Sequence, residues 1–146
     1  MYKAKDGSDL PDIFRVWAEE KFNACVKKAE EYLKKELKPI KLLFGISGNH
    51  AGIAKTIRKN GIETYEVHLN SLHLLVEAKD MLEDTIPHEV AHIIVMQNWG
   101  SYCNNRRVMP HGQEWKFVMS NIFKVAPKRC HSYSKMKIET FKRSIQ

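Results

Sequence analysis

Apolar residues recur at Leu10, Ile13, Phe14, Trp17, Ala18, Phe22, Cys25, Val26, Ala29, Tyr32, Leu33 and Leu37. Steps of three and four mark one long amphipathic helix, predicted over residues 10–37. Asp9 serves as its N-cap with Pro11 in the first turn, and Pro39 ends it. Its polar face carries i,i+4 pairs such as Glu30–Lys34 and Glu31–Lys35. Trp17 and Phe22 read as core. The periodicity then shortens. Residues 41–47, 53–57 and 62–69 read as strands, separated by the turn cluster of residues 47–52 and by Lys59-Asn60-Gly61, whose Asn-Gly pair is a strong hairpin signal. These predict a small three-stranded antiparallel sheet. From Ser71 the pattern turns helical again. A further helix, starting at Lys79 or Glu83, runs to Asn98 before Gly100 stops it; Pro87 either opens this helix or kinks a longer one. Residues 101–109 form a polar loop, and Pro110 opens a last helix whose stripe is His111, Trp115, Val118, Met119 and Ile122. The fold class expected is α+β.

Within the second long helix stands His88-Glu89-Val90-Ala91-His92, an H-E-x-x-H motif. Residues four apart share a helix face, so both imidazoles can reach one zinc ion, and Glu89 lies where a carboxylate can take a proton from an attacking water. A catalytic zinc takes three protein ligands and keeps a position open. The extended pattern H-E-x-x-H-x-x-G-x-x-H fails, because its third ligand falls on Asn98 and its glycine on Val95. His111, 19 residues beyond His92 and close to a facing helix, is the preferred third ligand; Glu114 is the alternative. Tyr102, Arg107, His131 and Tyr133 are candidates for stabilising an oxyanion. His50, His68 and His73 read as surface or packing residues, Trp115 as an anchor behind the site, and Cys103 as a loop thiol near it.

Composition narrows the class. The 146 residues, 43% apolar and 28% charged, suit one globular domain with a core of its own. The three cysteines, Cys25, Cys103 and Cys130, are scattered, odd in number and contain no C-x-x-C, which argues against a disulfide framework and for a reducing, cytoplasmic or other intracellular setting. Neither a signal-peptide pattern nor a membrane-length apolar run is present, so no membrane partner is expected. The net charge of +7 is unevenly placed: seven basic residues against Glu139 alone in the last 23, and near-balance before them. Residues 1–123 therefore read as the folded core and residues 124–146 as a basic arm. Lys124, Lys128, Arg129, Lys135, Lys137, Lys142 and Arg143 could neutralise nucleic-acid phosphates without sequence preference, with Tyr133 or Phe141 stacking on bases.

Three pieces, Ile86-Pro87-His88-Glu89-Val90-Ala91-His92, Pro110-His111-Gly112-Gln113-Glu114-Trp115 and Val125-Ala126-Pro127-Lys128-Arg129, together resemble the SprT-like zinc metallopeptidases, a family that includes the Spartan proteases of DNA-crosslinked proteins. Ala51-Gly52-Ile53-Ala54 and Val67-His68-Leu69-Asn70 are similar to the family's sheet, and the likeness extends to about residue 135. The resemblance implies a zincin-like minimal metalloprotease domain and one Zn2+ on His88, His92 and His111. It implies Glu89 as catalytic acid/base, and protein substrates associated with DNA. Many relatives carry a cysteine-rich C-terminal zinc ribbon, whereas Cys130 stands alone here. The other reading is a zinc-bearing nucleic-acid-binding or regulatory protein with weak or no peptidase activity.

Overall fold

In the computed structural model, residues 10–128 are described. Helix α1 (Asp12–Leu33) begins after Pro11 and ends where Lys34 turns left-handed at φ 58°. The expected N-cap Asp9 lies outside the described residues. The helix is shorter than its apolar pattern suggests because that pattern wraps around two faces. Ala18, Phe22, Cys25 and Ala29, at steps of four and three, are buried. Small residues among them let α1 pack against the central helix. Ile13 and Trp17 are on another face and remain about half exposed, which corrects the expectation that Trp17 is core. Glu30 does not depend on Lys34; its carboxylate accepts the amide of Leu37 at 2.8 Å and closes the turn after the helix. Burial pushes the Cys25 thiol up to about 11, so it is an inert core group.

The sheet comprises β1 (Ile40–Ile46), β2 (Gly52–Lys59) and β3 (Ile62–Asn70) in the order β1-β3-β2. It is mixed, not antiparallel. The β2–β3 hairpin turns at Asn60 and Gly61, both at positive φ as a primed turn requires. β1, however, skips its sequence neighbour and pairs parallel to β3, from Ile40 opposite Tyr65 to Ile46 opposite Asn70. The segment from β1 to β2 therefore crosses over the end of β3, and one buried side chain holds it there. The Asn70 amide donates to the carbonyls of Gly48 (3.1 Å) and His50 (3.0 Å). Its oxygen accepts the amides of Leu72 and His73, capping helix α2 (Ser71–Val76). A buried Asn with all of its side-chain capacity used fixes both the crossover and the strand-to-helix turn.

A short helix α3 (Ala78–Asp80) and a wide π-helical turn, Met81–Thr85, lead into α4 (Ile86–Trp99). The amide of Ile86 bonds Met81, five residues back. Pro87 has no amide to offer, and the widened turn before it lets a longer helix pass through. Gly100 stops α4 at φ 72°, its amide bonding Met96 and Val95. α4 is buried almost all round, from Ile86 to Val95 with His92 partly open, against β2 and β3, α1 and the C-terminal helical segment. Each fully buried Ile on it contributes roughly 1.5–3 kcal/mol. The expected loop of residues 101–109 contains a two-rung hairpin, β4 (Tyr102–Cys103) and β5 (Arg106–Arg107), turning on Asn104 and Asn105 at φ 53° and 63°. Helix α5 (Gln113–Phe117) continues through a second wide turn, Val118–Ile122. No helix among the described residues is long and apolar enough to cross a membrane.

Candidate metal centre

His88 and His92 project from the same side of α4, their rings 5.0 Å apart. His111 meets them from the other side of the cleft. It is not in the first turn of a helix, as the sequence suggests; it sits in the tight Met109–Gly112 turn just before α5, where the amide of Gly112 bonds the Met109 carbonyl at 3.1 Å. The His88 and His111 Nε2 atoms are 3.1 Å apart, and one ligand nitrogen from each of the three residues lies within 4.8 Å of the others. Nitrogens held at about 2.0–2.1 Å around a tetrahedral ion are spaced by about 3.4 Å. The 3.1 Å edge fits that spacing. When both Nε2 atoms are unprotonated, a shared cation takes both lone pairs. The donor set therefore suits a divalent metal ion.

Trp115 explains the placement. It is fully buried on α5, four residues after His111, and its ring touches all three imidazoles, at 4.8 Å from His88, 5.8 Å from His92 and 4.8 Å from His111. Its indole N–H donates to the His88 carbonyl at 3.3 Å. It is the anchor expected of it, setting the distance between α4 and α5. Glu114 is turned away from the triad to Arg106 of the hairpin, whose guanidinium holds its carboxyl below the usual range.

Glu89 is buried at 5% exposure, one residue past His88, and lines the same cleft as His92 and His111. The cleft has a volume of about 460 Å³; β2 forms one wall through Gly52, Ile53, Ala54 and Thr56, and the stretch from Val108 to His111 forms the other. β2 is an edge strand of the sheet, and four of its residues line this space. Gly52 is a contact that sequence reasoning missed as such. A Cβ there would lie 2.9 Å from Glu89 Cγ and 3.0 Å from the buried Thr85 Cγ2. Only glycine lets the strand pass this close to the carboxylate. Gly52→Ala is expected to cost about 1–3 kcal/mol in metal-free unfolding experiments, the usual penalty for overpacking. Unchanged stability would show that the strand yields instead.

The other expected residues disperse. Tyr102 and Arg107 pair across the hairpin and are exposed, outside the cleft lining. His68 bonds Glu66 at 2.8 Å, His73 is buried with Nε2 3.2 Å from the Gly48 carbonyl, and His50 is exposed. Cys103 is a half-buried free thiol on β4. Lys124 and Lys128 are exposed just after the C-terminal helical segment. Arg129, Lys135, Lys137, Lys142 and Arg143, with Cys130, His131, Tyr133 and Phe141, lie outside the described residues.

Fold and site thus define an α+β domain built around a three-histidine candidate metal centre in an open cleft. The chain belongs to the SprT-like family, which it matches over residues 22–134. It is 32% identical to Protein SprT of Pseudomonas savastanoi pv. phaseolicola over 110 residues, 75% of this chain and 60% of that protein. It is 31% identical to Protein SprT of Pasteurella multocida over 113 residues, 77% and 61% respectively. With Protein SprT of Escherichia coli (strain K12 / DH10B) the figure is 37% over 93 residues, 64% and 49%. The chain thus spans about half to three-fifths of the length of these relatives. No solved structure matches it.

Proposed function

We propose that the chain is a zinc-dependent endopeptidase of the SprT type with a zincin-like catalytic domain. The observation that carries this reading is the convergence of His88, His92 and His111, with the buried Glu89 lining the same open cleft as His92 and His111. The three histidines would hold the ion as neutral nitrogen donors. A zinc ion so held supplies Lewis acidity, polarising a peptide carbonyl and acidifying water. Glu89 accepts the proton of the attacking water and returns it to the departing amine nitrogen, the two halves of general acid–base catalysis. The free edge of β2 offers backbone donors and acceptors to an extended polypeptide, which β-strand addition would hold along the cleft wall.

The substrates proposed are proteins bound to or crosslinked with DNA. Support comes from the family resemblance and from the basic C-terminal arm, which would contact phosphates in a salt-sensitive, sequence-independent way. Cys25 and Cys103 are free thiols, in keeping with a reducing, intracellular setting. The test is incubation of the zinc-loaded chain with a DNA-binding protein, with and without single-stranded DNA. Fragments are expected, more with DNA than without, lost after chelation and regained on adding zinc. An intact substrate under every zinc-loaded condition would leave the alternative, a metal-bearing nucleic-acid-binding or regulatory protein.

A further inference from the structure

The third histidine is delivered by the segment between α4 and α5, and this segment has little to hold it. It starts at Gly100, at positive φ, and passes through a hairpin of two rungs. Two backbone bonds close it, Val108 N–H to the Ser101 carbonyl at 2.8 Å and Gly112 N–H to that of Met109. Of its apolar groups Tyr102 is 72% and Met109 51% exposed, and Val108 alone packs, partly buried, against the core. A hairpin this short is not stable on its own. Beyond Val108 and the contact of the His111 ring with Trp115, Arg106 joins it to the body, reaching from β5 to Glu114 in the first turn of α5. The two ends of this tie differ. The Glu114 side chain is 5% exposed and fixed beside Trp115, whereas that of Arg106 is 45% exposed. A carboxylate buried in that position needs a cation, and the hairpin brings one.

The connectivity gives this pair a specific consequence. Arg106 lies five residues before His111 and Glu114 three after it, so the ion pair closes a short ring of chain with His111 inside. We propose that Arg106 and Glu114 are the positioning couple for the third metal ligand. They pin the hairpin to α5, and His111 is thereby held opposite His88 and His92 before any ion arrives. This assignment rests on the metal-binding reading of the triad. It concerns neither ligation nor proton transfer; both residues act through His111. Ordering the loop in advance removes its closure entropy from the cost of binding metal.

The test compares the wild type with Arg106→Ala, Arg106→Lys, Glu114→Gln, the Arg106→Ala/Glu114→Gln double variant and Lys116→Ala, which removes an exposed charge from the same helix. Two quantities are read: amide exchange at Val108 and Gly112 in the metal-free protein, and zinc affinity by competition with a chelator. Arg106→Ala is expected to speed exchange at both amides and to weaken zinc about 10- to 100-fold, the range for groups that orient a ligand. Arg106→Lys should recover part of both, the double variant should be no worse than the worse single one, and Lys116→Ala should match wild type. If burial makes Glu114→Gln misfold, Arg106→Ala, on the exposed hairpin, still decides. Wild-type exchange and affinity in Arg106→Ala overturn the assignment, as do additive losses in the double variant. A wild type that binds no zinc instead defeats the peptidase reading, and exchange at Val108 and Gly112 still reports whether the couple pins the hairpin.

Discussion

Glu89→Gln is expected to lower kcat by about 10²- to 10⁴-fold while leaving metal content and fold unchanged. The substitution is nearly isosteric, which matters here because the side chain is buried and packed. Its Cγ is opposite Gly52, with Thr85 against the same strand position. An alanine would open space and let β2 and α4 shift, mixing a structural effect into the measurement. Glutamine keeps the Cγ in place and changes only the head group. An amide nitrogen carries no lone pair available to take a proton at neutral pH, so the base is removed while the shape is retained. Because the three candidate ligands are all histidines, the loss of this carboxylate does not touch the donor set. The measurement is single-turnover cleavage of a DNA-binding protein by zinc-loaded wild type and variant, with zinc counted in both. Equal rates at equal metal content would refute the role of Glu89 as base, whatever the ion does.

The parts of this site that could be read in the sequence are those that depend on local spacing. His88, Glu89 and His92 follow from the helical repeat, since residues four apart must share a face. Trp115 was recognisable as an anchor because it lies four residues beyond His111 in a helical stripe. Spacing favours His111 without placing it: the helical stripe predicts a helix there, and the structure puts it in a turn that Gly112 closes. The sheet failed at β1 because strand order is a non-local property. Strand periodicity predicts an antiparallel sheet, whereas β1 pairs parallel to β3, and the buried Asn70 anchors the crossover over the end of β3. The β4–β5 hairpin left almost no periodic signal at two residues per strand; its Asn104-Asn105 turn was the cue available, both residues being types that tolerate positive φ. Periodicity alone does not show that Trp17 is exposed, because α1 bears apolar residues on two faces and the packing of α1 on α4 decides which one is buried.

The second large effect is expected at His111. Metal-free wild type and metal-free His111→Ala should unfold at similar temperatures, because the ring is only partly buried and sits on a loop, not in the core. They should separate once zinc is added. An ion that binds the folded state alone stabilises it by about 4 kcal/mol when present at about a thousand times its dissociation constant. For a domain of this size that corresponds to a rise in melting temperature on the order of 10 °C. With His111 removed, only the two nitrogens of α4 remain from the triad, and the residue that would replace the third, Glu114, is committed to Arg106. The zinc-induced rise is therefore expected to fall to a small fraction of its wild-type value, with zinc content after desalting dropping from about one per chain toward zero. The two readings are linked by the geometry: the nitrogen lost is the one 3.1 Å from His88 Nε2. A variant that keeps the full zinc-induced rise would mean that the ion sits elsewhere, and would remove His111 from the centre together with the loop that carries it.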